Sequence, residues 1–242
     1  MQDDRRHIAS AFDRDLEAIQ ALIMKMGGLV EASITEAAKA LATRDEELAE
    51  EVRLNDKAID ELEERVNEEA ARVIALRAPT AVDLRVILSV MKMSSALERI
   101  GDLSKNMAKR TGVLVQMPQI NGSTTALKRM AREVEAMLKD ALDAYIQRDA
   151  ELAQDVIDRD GDVDQMYNAL FREFLTFMME DPRNITACMH LHFIAKNIER
   201  MGDHVTAIAE QVIFLRSGEV PGDRVKHDLI TPDAGPEGSG GD

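Results

Sequence analysis

The sequence repeats itself, and a repeat of this length restricts the possible folds sharply. Arg44-Asp45-Glu46-Glu47-Leu48-Ala49 returns as Arg148-Asp149-Ala150-Glu151-Leu152-Ala153, at an offset of 104 residues. At that offset Val52, Asp56 and Asp60 become Val156, Asp160 and Asp164. Leu97-Glu98-Arg99-Ile100-Gly101-Asp102 returns as Ile198-Glu199-Arg200-Met201-Gly202-Asp203, at an offset of 101, so three residues are lost or gained at the intervening turn. A unit of about one hundred residues that occurs twice points to two copies of one supersecondary structure packed in tandem.

The residues between these landmarks are helix formers. Hydrophobic residues make up 45% of the chain but aromatic residues only 3%, which suits long helices closing on aliphatic seams rather than a sandwich of sheets. Pro79, Pro118 and Pro182 each stand where an apolar pattern breaks. The breaks predict six helices, over 9–42, 45–77, 79–115, 125–147, 149–180 and 182–216. Asp181 before Pro182 reads as a cap followed by a first-turn proline, and Thr43 with Glu46 as a capping box. Gly27-Gly28 marks a candidate kink in the first helix. In the last helix Ile194, Ile198, Met201, Val205, Ile208 and Val212 recur in steps of three and four, which is a bundle seam.

The expected architecture is all-α: two tandem three-helix bundles, over 1–117 and 118–217, followed by a tail over 218–242. Six of the 13 glycines and three of the six prolines fall after Ser217, so that tail reads as disordered and polar.

A formal net charge of −15 leaves no electrostatic route to nucleic acid or to an anionic membrane, and favours cations or basic protein faces instead. The first ten residues lack the apolar stretch of a signal peptide, and no apolar run approaches the roughly 20 residues of a membrane span. Cys188 is the only cysteine, within an apolar stretch, and reads as a small core residue in a reducing compartment. A cytoplasmic protein with no direct membrane insertion is expected.

Candidate chemistry lies in carboxylates. Each repeat has two acidic pairs at i, i+4: Asp56/Asp60 and Glu98/Asp102 in the first, Asp160/Asp164 and Glu199/Asp203 in the second. The spacing puts both members of a pair on one helix face. Four carboxylates from two neighbouring helices make an all-oxygen site for a hard cation. In so acidic a chain a single pair means little, and a plain solvated face is the alternative. The signal is the matched placement in both repeats. At 100° per residue, Glu199/Asp203 and Glu98/Asp102 point away from their own apolar seams, while Asp56/Asp60 and Asp160/Asp164 lie nearer the flank. Sites on the bundle surface are therefore predicted.

Gly101 and Gly202, beside these acids, permit close approach of a metal, a neighbour or a partner, or simply close helix packing. His204 is a candidate peripheral ligand; His190 and His192 read as interior or flank residues, and the methionines as core filler. The chain has no phosphate-cradling glycine loop, nucleophile elbow or Cys/His cluster; a buried di-metal oxidase would aim its carboxylates inward and usually adds Glu-x-x-His, and no Glu here is followed by His at i+3.

The doubled Glu98-Arg99-Ile100-Gly101-Asp102 and Glu199-Arg200-Met201-Gly202-Asp203 resembles the PhoU family of bacterial phosphate-uptake regulators. Ala81-Val82-Asp83-Leu84-Arg85 and Met179-Glu180-Asp181-Pro182-Arg183-Asn184-Ile185 support the likeness, which runs from about Asp13 to Gly218. It implies two three-helix bundles, often in a homodimer, with surface clusters of Fe, Zn, Mn or Mg held by repeated E(D)xxxD motifs. Those motifs map onto the eight acids named above. It also implies a non-enzymatic negative regulator of the phosphate-starvation response, linking the ATPase subunit of a phosphate ABC transporter to a membrane sensor histidine kinase. Leu103 stands where the family often has a histidine after Gly-Asp; His204 keeps that pattern. The rival readings are a carboxylate-bridged metal oxidase or ferritin-like enzyme, and a metal-free helical scaffold.

Overall fold

The computed structural model describes the backbone of residues 2–219 and the side chains of 12–219. It contains six long helices: α1 (Gln2–Thr43), α2 (Glu46–Arg77), α3 (Ala81–Leu114), α4 (Ser123–Gln147), α5 (Ala150–Glu180) and α6 (Ile185–Ser217). From residue 220 onward the expected tail lies outside the described residues.

The joints show how faithfully the repeat is built. Arg44 and Arg148 both take a left-handed φ of 56°. The next amide in each, Asp45 N–H or Asp149 N–H, then donates back to Ala40 O (2.9 Å) or Ala144 O (3.0 Å), closing α1 and α4 in the same way. Asp45 and Asp149 next cap α2 and α5, accepting from Leu48 N–H and from Glu151 and Leu152 N–H. The expected capping box at Thr43 and Glu46 does not form. Thr43 is still inside α1, where its hydroxyl donates to Lys39 O at 2.9 Å.

Asp181 caps the next start as predicted, accepting from Arg183 N–H at 2.9 Å. Pro182–Asn184 nevertheless forms a 3-10 turn, and α6 begins only at Ile185. Arg44 does a second job: its Nη2 donates to the carbonyls of Leu114 (2.8 Å), Val115 (2.7 Å) and Met117 (2.7 Å). One guanidinium thus gathers three carbonyls at and just beyond the end of α3 and holds the joint leading to α4.

None of these helices could persist alone, and their stability comes from shared apolar faces. In α1 Ile19, Ile23, Met26, Val30, Ile34, Ala37 and Leu41 are all buried, at helical spacing. The α6 seam from Ile194 to Val212 is buried throughout, as is the free thiol of Cys188. Burying each such aliphatic side chain contributes about 1.5–3 kcal/mol. α1 runs unbroken through Gly27-Gly28. A β-carbon on Gly27 would meet Leu142 Cδ1 at 2.5 Å, so this glycine lets α4 approach α1.

The packing order is α2 on α1 and α3 in the first half, α5 on α4 and α6 in the second. The halves join through α3 against α6 and α1 against α4. Four helices therefore form a shared centre, while α2 and α5 each touch only their own half.

Candidate functional site

α2 and α3 bring the first four acids together. Where they cross, Gly101 presents no side chain: a β-carbon there would lie 3.0 Å from Ile59 Cδ1 and 3.3 Å from Asp56 Oδ1. The close approach pulls Asp56 into the interface, where it is only 2% exposed. Lys105 Nζ donates to Asp56 Oδ2 at 2.6 Å and to Asp102 Oδ1 at 3.3 Å. Asp56 Oδ1 is buried with no hydrogen-bond partner. Arg99 flanks the outer side, 3.4 Å from Glu98 Oε2 and 3.7 Å from Asp102 Oδ2. Glu98 and Asp102 are half-buried and Asp60 stands at the exposed rim.

The crowding shows in the acidities. Burial first, and then the neighbouring Asp102, pushes the Glu98 carboxyl up to about 6. Asp60 is also raised, by desolvation and then by Asp56, with Asp102 and Glu63 adding to the effect. Glu63, one turn beyond Asp60, is a fifth carboxylate of this cluster that sequence reasoning missed.

The second half repeats the arrangement with α5 and α6. A β-carbon on Gly202 would come within 3.0 Å of Asp160 Oδ1 and 3.6 Å of Val163 Cγ1. Asp160 and Glu199 are buried; Asp164 and Asp203 are half-buried. Burial raises the Glu199 carboxyl, Lys196 opposes the rise, and Asp203 and Asp164 add to it. Lys196 Nζ lies 2.7 Å from Glu199 Oε2 and 5.2 Å from the ring centroid of Tyr167. Tyr167 takes the place that Glu63 holds in the first repeat, so the second cluster is one carboxylate poorer.

Both clusters lie in helix–helix grooves rather than on the open surface, which corrects the expectation from helix phase. α3 packs on α1, α2 and α6, and α6 on α3, α4 and α5. A helix with three neighbours has more than one covered face, so pointing away from one seam does not mean pointing into water. The small glycines then draw the acid-bearing face of the partner helix inward.

The donor chemistry fits a hard cation. Every group is a carboxylate, neighbouring acids raise the pKa of Asp60, Glu98 and Glu199, and the buried Asp56 Oδ1 has no hydrogen-bond partner. Among the described residues, however, no group of three or more His, Cys, Asp or Glu side chains is already arranged to hold a metal ion. Each cluster is closed instead on a lysine. The histidines are dispersed: His190 Nδ1 is 3.4 Å from Arg110 Nη1, His192 stands among aromatic rings, and the candidate ligand His204 is half-buried beside Asp203.

Residues 23–111 and 127–212 both match the PhoU domain. The chain is a member of the PhoU family. It is 42% identical to the phosphate-specific transport system accessory protein PhoU homolog of Caulobacter vibrioides over 226 residues, covering 93% of this chain and 98% of that one. The Zymomonas mobilis homolog of the same name is 46% identical over 220 residues, 91% of this chain and 92% of its own. The crystal structure of PhoU from Pseudomonas aeruginosa superposes with a TM-score of 0.83 at 38% identity, covering 86% of this chain and 100% of that one. That of the phosphate transport system regulatory protein PhoU from Streptococcus pneumoniae gives 0.81 at 30% identity, covering 87% and 99%. The two PhoU domains of this chain thus carry their glycine–aspartate crossings at matching positions, and differ in Glu63 against Tyr167 and in where the lysine comes from.

Proposed function

We propose that this PhoU-family chain is a cytoplasmic, non-enzymatic negative regulator of the phosphate-starvation response. It would act as an adaptor between the ATPase subunit of a phosphate ABC transporter and a membrane sensor histidine kinase, and as a homodimer. The observation that carries this reading is the 42% identity, across nearly both whole chains, to a phosphate-specific transport system accessory protein homolog. Among the described residues no helix is long and apolar enough to cross a membrane, so its action at a membrane would go through partners. Deleting the gene should leave phosphate-starvation genes switched on in high phosphate. Normal repression in that strain would exclude the regulator.

The two acid clusters are the chain's proposed metal sites, with Asp56, Asp60, Glu98 and Asp102 holding a hard cation in one half and Asp160, Asp164, Glu199 and Asp203 in the other. Fe, Mn, Zn and Mg are the candidates. The ion would supply positive charge that lets α2 close on α3, and α5 on α6, without repulsion, and so shape the surfaces offered to partners. The competing reading, a metal-free scaffold, draws support from the lysine already seated in each cluster. A carboxylate-bridged oxidase is disfavoured by the family, whose relatives here carry accessory and regulatory names.

A further inference from the structure

We infer that Lys105 and Lys196 are resident counter-cations of the two acid clusters, and that a metal ion enters each cluster by displacing the ammonium group. The inference rests on the metal reading proposed above.

In the first cluster Lys105 reaches across from α3 to α2 and bridges the most deeply buried acid to one on its own helix, at 2.6 Å from Asp56 and 3.3 Å from Asp102. Removing the cation would leave Asp56 as an uncompensated buried charge, which is strongly unfavourable. Yet the lysine does not complete the site, because Asp56 Oδ1 still has no donor. Its side chain is 41% exposed, so the ammonium can leave for solvent without unpacking the core. A divalent ion on these carboxylates would stand within a few ångströms of the ammonium, and the two positive charges exclude one another.

The second cluster reaches the same end differently. Lys196 sits one turn before Glu199, against its carboxylate and the face of Tyr167, whereas Lys105 sits one turn after Asp102. At the repeat offset of 101 the counterpart of Lys105 is Thr206, and that of Lys196 is Ser95. The acids and glycines recur at matched positions while the lysines do not. Each half therefore supplies its own cation from an unrelated position, as expected if the crowded carboxylates require one and the route is immaterial. Lys105 engages two carboxylates and Lys196 engages one carboxylate and a ring, so the two clusters differ in what a metal must displace.

The test uses the full-length protein and Mn²⁺. Lysines are acetylated with a succinimidyl ester in EDTA or in Mn²⁺, and rates are read by peptide mass spectrometry, with the exposed Lys39 on α1 as reference. Displacement predicts several-fold faster labelling of Lys105 and Lys196 in Mn²⁺, with Lys39 unchanged. In parallel, Lys105→Gln should bind Mn²⁺ about tenfold more tightly by calorimetry, because a repelling charge has gone. If that variant does not fold, wild-type labelling decides alone. Mn²⁺ binding without faster labelling, or with slower labelling, overturns the displacement and leaves the metal sites standing. No Mn²⁺ uptake by wild type or variant overturns both.

Discussion

Gly202 faces Asp160 so closely that a β-carbon on the glycine would stand 3.0 Å from Asp160 Oδ1. Gly101 faces Asp56 in the same way, at 3.3 Å. Two opposing effects meet at these positions. Alanine gains about 1 kcal/mol over glycine in a helix interior, but overpacking a tight crossing costs about 1–3 kcal/mol.

Gly202→Ala should therefore lower stability by about 1 kcal/mol or more, because the methyl group must push a buried carboxylate aside. Gly112→Ala is the control, since nothing lies within 4 Å of its β-position; it should raise stability by about 0.5–1 kcal/mol. Denaturant unfolding of both variants measures the difference. Equal effects would mean that the crossing is looser than described.

Asp102→Asn combined with Asp203→Asn separates repulsion from metal binding. Asp102 raises Glu98, and Asp203 raises Glu199. Removing both charges relieves those carboxylates, at the expense of half-buried pairings of Asp102 with Lys105 and Arg99 worth about 0–1 kcal/mol each. In EDTA the variant should melt no lower than wild type. Added Mn, Fe or Zn should raise the wild-type midpoint by mass action and leave the variant unmoved. A large loss of stability in EDTA would assign these acids a structural role instead.

Arg44→Ala should cost about 1.5–3 kcal/mol, since charge-assisted bonds to three carbonyls disappear. Arg44→Lys should recover only part of that, because an ammonium lacks the guanidinium fork. Hydrogen exchange over 115–122 should rise in both variants. Unchanged protection there would show that the joint holds itself.

His192 supplies a pH test beside the second cluster, next to its Tyr167 and Lys196. Its ring lies 5.2 Å from that of Phe171 and 5.8 Å from those of Tyr167 and Phe193. Burial, and then Lys196, holds its pKa below the ordinary histidine value. The unfolded chain then binds the proton more readily, so stability is lost as pH falls from about 6.5 through the depressed folded value. His192→Phe should lessen that loss and match wild type more closely above pH 7. Parallel pH profiles for the two proteins would count against a half-buried neutral imidazole.

The helix boundaries were legible because proline, aspartate caps and the apolar period all act locally. Asp181-Pro182 is readable one residue at a time, whereas the caps at Asp45 and Asp149 were passed over in favour of Thr43 with Glu46. The burial of Asp56 was not, because it depends on α2 meeting α3 at Gly101, and a helical wheel counts only one seam. Lys105 looks like an ordinary i, i+3 partner of Asp102, and nothing local shows that it crosses to Asp56. Glu63 could have been found. It lies one turn past Asp60, and its replacement by Tyr167 at the repeat offset of 104 is visible in the sequence.

The direct contact of α3 with α6 has a mechanical consequence. The helices that carry Glu98/Asp102 and Glu199/Asp203 are parts of a common spine with α1 and α4, and close-packed interiors leave that spine little slack. α2 and α5 are outriggers, each braced on one side only. A change of charge in either groove would then be taken up more readily by the tilt of the outrigger than by the spine. The two halves would then report separately, one on each flank, and a partner gripping α2 would read a different dial from one gripping α5.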